Sequence, residues 1–162
     1  MQALLRTLTF GVVLTLVVSV VSLSAQERDP RIGVWKLNVA QSTYNPGPAP
    51  QSLMVKVEAA GQGEQTTTDF VNADGTRTTT QYTANFDGKA VPLTGSQVGA
   101  DMVSLKRIDA RTTERTDMKG DKAIQVLTRV VSQDGKTMTV TTKGTNAQGQ
   151  PVNNVGVFEK QS

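Results

Sequence analysis

Beyond Gly33 the chain alternates apolar and polar residues in short runs. Within residues 52–59, Leu53, Val55 and Val57 fall on one face of an extended strand, and the residues between them fall on the other. Thr and Val predominate in these runs, and their branched Cβ atoms favour the pleated backbone of a sheet. No window shows the i, i+3, i+4, i+7 apolar spacing of an amphipathic helix. The pattern therefore predicts a domain built almost entirely of β-strands.

Turn sequences separate these runs at short intervals. Asp-Gly occurs at 74–75, 87–88 and 134–135, and Gly accepts the positive φ that tight hairpin turns require. The predicted strands are 33–38, 52–59, 64–71, 77–86, 89–93, 101–109, 112–118, 122–132, 136–144 and 151–159. One apolar and one polar face per strand is typical of an antiparallel sheet that closes on itself or packs on a second sheet. We predict an all-β fold, a small antiparallel up-and-down barrel of eight to ten strands, with an open β-sandwich as the alternative.

The N-terminus has the organisation of a secretory signal peptide. Arg6 precedes a largely apolar stretch at 8–23, and small residues follow up to Ala25. Cleavage is predicted after Ala25, with Ser24 as the alternative. An uncleaved membrane anchor is a further alternative, although a span needs about 20 apolar residues and this stretch is shorter. The prediction is a signal peptide at 1–25 and a single exported domain at 26–162, periplasmic or extracellular, with no membrane span after cleavage.

The longest predicted connection is 39–51. It contains Pro46, Pro48 and Pro50, and each proline fixes φ and lacks a backbone donor, which excludes a helix or a central strand. We expect an ordered, extended loop that crosses one end of the barrel. A short helical turn fits within 40–44.

The absence of histidine and cysteine limits the chemistry of this chain. It excludes the common zinc and copper sites and both Ser-His and Cys-His nucleophilic catalysis. No phosphate-binding loop or calcium loop is found either. We interpret four acidic residues as turn formers: Asp74, Asp87, Asp121 and Asp134. Catalysis by a carboxylate pair is the alternative. We predict no catalytic residues, no metal and no cofactor.

Charge points to no particular macromolecular partner. The net charge of +3 falls to +2 when Arg6 is removed, which is too small to predict nucleic-acid binding. The residues of one basic stretch are Lys106, Arg107, Arg111, Arg115, Lys119 and Lys122. Asp109, Glu114, Asp117 and Asp121 are interleaved with them. We interpret this stretch as a solvated face across two hairpin strands.

The only tryptophan lies in the first predicted strand, within Gly33-Val34-Trp35. A Gly-x-Trp on the first strand of an antiparallel chain resembles the calycins, the group that contains lipocalins and fatty-acid-binding proteins. More specifically, the chain resembles small secreted bacterial lipocalin-like proteins of unassigned function. The resemblance implies that Trp35 fills the closed end of the barrel, where a large flat apolar side chain suits a tapered interior. Gly33 would allow a bend or a close backbone approach.

The last strand carries a second resemblance. Gly156-Val157-Phe158-Glu159-Lys160 is similar to the closing strand of fatty-acid-binding proteins, in which an Arg-x-Tyr pair binds the ligand carboxylate. Here Gly156 and Phe158 occupy the two positions, so the residues of that carboxylate anchor are absent, and the helical lid of that family has no counterpart. Alternation leaves open whether Val155 and Val157 or Gly156 and Phe158 face inward; a bulge near Gly156 would reconcile the two.

These patterns lead to a hypothesis of an exported, non-catalytic protein that binds a small hydrophobic molecule in a barrel interior. The candidate interior residues are Trp35, Leu37, Val55, Phe70, Tyr82, Phe86, Leu105, Val126, Met138, Val140 and Phe158. The alternative is a structural or protein-interaction module with a filled core, which would use the loops at 39–51 and 94–101 as its contact surface. The interior volume separates the two, since ligand sites are cavities of about 300–1,000 Å³.

Overall fold

The computed structural model describes residues 29–95 and 99–162, so the predicted signal peptide lies outside the described residues. Ten strands account for most of the described chain. They are β1 (Gly33–Leu37), β2 (Ser52–Ala60), β3 (Gly63–Val71), β4 (Arg77–Asn85), β5 (Val91–Pro92), β6 (Met102–Arg107), β7 (Thr112–Lys119), β8 (Lys122–Val131), β9 (Thr137–Thr145) and β10 (Pro151–Lys160). A 3-10 helix at Val39–Gln41 is the helical turn expected after β1, one residue earlier than predicted. No helix within the described ranges is long and apolar enough to cross a membrane.

The strands form one antiparallel sheet in the order β4-β3-β2-β1-β10-β9-β8-β7-β6-β5. Its two edges approach each other. Gln81 of β4 exchanges backbone hydrogen bonds of 3.2 and 3.1 Å with Thr94, and Asp87 forms a bridge with Lys106 of β6. The sheet is therefore a nearly closed barrel, and the predicted all-β barrel is confirmed.

Because successive strands are antiparallel, the connections between them alternate between the two ends of the barrel. The segments that follow β1, β3 and β9 lie together at one end, which we call the mouth end. The N-terminus and the turns that follow β2, β4, β6 and β8 lie at the other, which we call the Trp35 end.

Trp35 is completely buried at its end of the barrel. Its indole Nε1 donates a 2.9 Å hydrogen bond to the carbonyl oxygen of Arg31, and the Lys160 ammonium lies 5.0 Å from the ring centroid. It packs in a cluster with Leu37, Val57 and other apolar residues. The indole thus buries its apolar body while its polar N–H finds a partner.

Gly33 has a φ of +140°, a backbone conformation that side chains rarely adopt, and a Cβ there would lie 2.7 Å from Cε of Lys160. The residue lets β1 begin directly beside the Lys160 side chain, whose ammonium also donates to the carbonyl oxygen of Pro30 at 3.0 Å.

The structure also decides the inward face of β10. This strand pairs with β9 from Pro151 to Glu159 without a break in register, so no bulge occurs near Gly156. Gly156 and Phe158 face the interior, and Val155 and Val157 lie half-buried on the other face.

Candidate ligand-binding site

A cavity of about 570 Å³ occupies the mouth end of the barrel. Its rim comes from three connections: Tyr44 and the proline-rich loop at 46–50, the turn at 72–74, and the turn at 146–148. Burial raises the pKa of Tyr44 to about 12, so its phenol is uncharged at neutral pH. The loop predicted to cross one end of the barrel therefore borders the entrance to an interior space.

One wall of the cavity is apolar. It belongs mainly to β2, β9 and β10, which the sheet order places on the two sides of β1. Its residues are Leu53, Val55, Phe70, Met138, Val140, Val152 and Phe158. Met138 and Phe158 are cross-strand partners, so the two large side chains stand side by side.

The facing wall is polar. It comes from β3 and β4 on one side and from β7 and β8 on the other, and its residues are Thr66, Thr68, Thr80, Arg115, Asp117, Gln125 and Arg129. All of these side chains are buried or half-buried. The cavity is thus amphipathic, with apolar and hydrogen-bonding sides.

An ion pair crosses the barrel interior below the cavity. Glu64 of β3 accepts a 2.6 Å hydrogen bond from a terminal guanidinium nitrogen of Arg129 on β8, and these strands are not neighbours in the sheet. The same carboxylate oxygen accepts hydrogen bonds from Thr66 Oγ1 at 2.9 Å and from the Tyr82 hydroxyl at 3.0 Å. The two charged side chains are only 1% and 6% exposed. We call this pair, with Thr66 and Tyr82, the polar floor.

The floor perturbs the ionisation of its members. Burial alone would raise the pKa of Glu64, but the Arg129 charge and the three hydrogen bonds outweigh burial, so the pKa lies below its ordinary value. Burial also raises the pKa of Tyr82, which remains a neutral phenol. At neutral pH the floor therefore consists of a carboxylate, a guanidinium and two hydroxyl donors.

A second ion pair lies on β7. Arg115 binds Asp117 through both carboxylate oxygens, at 2.6 and 3.1 Å, and the side chains are 11% and 5% exposed. The Arg115 guanidinium also stacks over the Tyr82 ring, 4.8 Å from its centroid. The interpretation of this basic stretch as a solvated face was therefore wrong for Arg115 and Asp117. Their pairing offsets part of the desolvation cost that usually keeps charged side chains outside a barrel.

Sequence reasoning missed Glu64 and Arg129. Both occupy inward positions in the two-residue period of their strands: Glu64 shares its face with Thr66 and Thr68, and Arg129 shares its face with Gln125 and Val131. One acid and one base at inward positions of different strands is the signal that could have suggested an internal pair.

The structure divides the eleven candidate interior residues into three groups. Five line the cavity: Val55, Phe70, Met138, Val140 and Phe158. Five belong to the packed part of the barrel and do not line the cavity: Trp35, Leu37, Tyr82, Phe86 and Leu105. Whether any of them binds a ligand stays a prediction.

The third group contains only Val126. The prediction that this residue faces the interior was wrong. It borders a shallow outer depression with Thr128, Thr141 and Lys143, whereas Gln125 and Leu127 line the cavity. The prediction took Val126 as the inward-facing residue of β8. Arg129 and Gln125 instead occupy the inward face, because Arg129 pairs with Glu64 and Gln125 donates to the carbonyl oxygen of Thr145.

Residues 29–95 and 99–162 form a nearly closed barrel of ten antiparallel strands with almost no helix and an interior cavity, which is a calycin-like fold. A solved structure, zebrafish ileal bile acid-binding protein complexed with cholic acid, resembles it with a TM-score of 0.51. The match covers 82% of this chain and 99% of the zebrafish chain, at 16% sequence identity. At that identity the likeness shows a common fold. No protein-family model matches the sequence, and no curated protein matches it.

Proposed function

We propose that this chain is an exported, non-catalytic binding protein that holds a small lipophilic molecule in the cavity at its mouth end. The observation that carries the proposal is the cavity of about 570 Å³, whose volume falls in the range of small-molecule sites. Its apolar wall supplies the surface that a lipophilic molecule would cover. The zebrafish protein of the same fold, which is complexed with cholic acid, supports the proposal as an analogy of fold.

A matched pair of variants tests binding with the neutral dye Nile red. Val140→Trp places an indole in the cavity, and Val130→Trp places one on the adjacent strand at a residue that is 44% exposed. We expect Val140→Trp to weaken dye binding at least tenfold and Val130→Trp to leave the dissociation constant unchanged. Equal binding by both variants would place the dye outside the cavity, and no dye uptake by the wild type would refute the proposal.

Export rests on the pattern of residues 1–25. Expression of the full chain in a bacterial host, followed by intact-mass measurement of the osmotically released fraction, tests it. We expect a protein that begins at Gln26. A full-length mass confined to the cytoplasmic fraction would contradict export without bearing on ligand binding.

A further inference from the structure

The charged residues that line the cavity indicate which class of ligand it can bind. Among the described residues that line it, the charged ones are Asp74, Arg115, Asp117 and Arg129. Asp74 lies in the exposed turn at the rim, and the other three lie on the polar wall. A ligand in the cavity would therefore contact two guanidinium groups. Whether these groups can bind an anion decides which class of ligand the cavity favours.

Each guanidinium is already paired with a buried carboxylate, so neither offers an uncompensated positive charge to an anion. Arg129 is held by Glu64 at 2.6 Å, and Arg115 is held by both oxygens of Asp117. A ligand carboxylate would have to share the guanidinium with a buried carboxylate or displace that carboxylate from its partner. It would also sit beside the negative charges of Glu64 and Asp117.

The last strand supplies no replacement cation. Gly156 and Phe158 face the cavity and carry no charge, and no lysine lines the cavity within the described residues. A Cβ at Gly156 would lie 2.9 Å from the Phe158 ring, so the two residues fill this part of the wall together.

The polar wall nevertheless has unused hydrogen-bonding groups. Within the described residues, no partner is recorded for Nε of Arg129, although that side chain is 6% exposed and lines the cavity. The Thr68 and Thr80 side chains, cross-strand partners on β3 and β4, also line the cavity. A hydroxyl group can both donate and accept, so it suits threonine hydroxyls and an N–H without disturbing either ion pair.

We infer that the cavity selects uncharged lipophiles that carry a hydroxyl group and discriminates against the corresponding carboxylates. This inference rests on the proposed function and names the class of ligand. The apolar wall takes the hydrocarbon, and the polar wall takes the hydroxyl. The two internal ion pairs exclude the anion.

Competition between decan-1-ol and decanoate for bound Nile red at pH 7.5 tests the inference, because the two competitors share a chain and differ in the charge of the headgroup. We expect decan-1-ol to displace the dye at a concentration at least tenfold lower than decanoate. Equal potency, or stronger competition by decanoate, would overturn the inference and leave the proposed function standing. Failure of the dye and of both competitors to bind would overturn the two together.

Variants that remove the carboxylate partner of each arginine provide a second test. Glu64→Gln frees Arg129, and Asp117→Asn frees Arg115. We expect each to improve decanoate competition at least tenfold while decan-1-ol changes less than threefold. Asp101→Asn removes the same charge from an exposed residue outside the cavity and should leave both competitors unchanged. Should Glu64→Gln fail to fold, Asp117→Asn decides the outcome. An unchanged alcohol-to-carboxylate ratio in the folded variants would overturn the role of the ion pairs.

Discussion

Glu64 concentrates its interactions on one carboxylate oxygen. That oxygen accepts from Arg129, Thr66 and Tyr82, while no partner for the second oxygen is found among the described residues. A buried carboxylate is costly unless a charge and hydrogen bonds compensate it. The compensation comes from the paired strands β3 and β4 and from β8, so one side chain connects this strand pair to a strand that it reaches only when the barrel closes.

Removal of this carboxylate is expected to destabilise the protein and to change how stability depends on pH. Because folding lowers the pKa of Glu64 below its ordinary value of 4.5, the stabilisation is fully present above about pH 4.5 and is lost as pH falls through the folded pKa. We expect Glu64→Gln to lower the free energy of unfolding at pH 7 by about 3 kcal/mol. The difference from the wild type should shrink as pH falls below about 4.5.

Urea denaturation of both proteins across this range measures the effect. Other carboxyl groups with lowered pKa values, such as Asp29 with a pKa of about 2, titrate alike in the two proteins and cancel in the difference. A difference that stays constant from pH 7 to pH 3 would contradict the assignment to Glu64.

At the scale of elements, β3 and β4 approach closely at the residue that precedes Glu64. A Cβ on Gly63 would lie 1.8 Å from the carbonyl oxygen of Ala84, which is backbone and cannot swing aside. Gly63 pairs with Asn85, and Glu64 pairs with Ala84. The absence of a side chain at Gly63 thus sets the strand spacing next to the polar floor.

Gly63→Ala is therefore expected to lower the free energy of unfolding by about 3 kcal/mol, since the new methyl group forces two paired strands apart. Gly47→Ala is the matched control, because the nearest atom to its Cβ is 4.0 Å away and its φ is not in the positive range. It should change stability by less than about 0.5 kcal/mol. Chemical denaturation measures both. Equal effects of the two substitutions would show that β3 and β4 tolerate a wider spacing.

The whole barrel divides into a packed end and a hollow end. Trp35 is buried at one end in a cluster whose members Val55, Met138 and Phe158 also line the cavity, and the Glu64–Arg129 pair crosses the interior on the polar side of the cavity. The hollow end holds few apolar contacts per unit of volume, so a ligand would supply packing that the chain lacks there. Stability and binding are expected to be linked at this end.

A neutral lipophile should accordingly raise the thermal midpoint. At a free concentration of one hundred times the dissociation constant, binding to the folded state alone adds about 2.7 kcal/mol. For a domain of this size we expect an increase in Tm of roughly 10 °C. Thermal melts with and without decan-1-ol test this, with Val140→Trp as the variant in which the increase should disappear. An equal increase in that variant would show stabilisation from outside the cavity.

The number and type of elements were predictable from the sequence because their causes are local. Two-residue alternation and Asp-Gly turns depend only on neighbours along the chain, and they placed the ten strands to within a few residues. The burial of Trp35 followed from the same pattern together with the Gly-x-Trp resemblance. Five of the eleven candidate interior residues line the cavity. They could be predicted because local alternation also indicates which apolar side chains face inward.

The polarity of the interior was decided only by the tertiary structure. Glu64 and Arg129 are 65 residues apart, and neither is a plausible interior residue until closure of the barrel brings the other within hydrogen-bonding distance. For the same reason Val126 was assigned inward and Arg115 outward, each against the structure. Apolar side chains prefer the interior whatever their neighbours are, whereas a charged side chain is stable there only beside a specific partner. Only the folded chain supplies that partner.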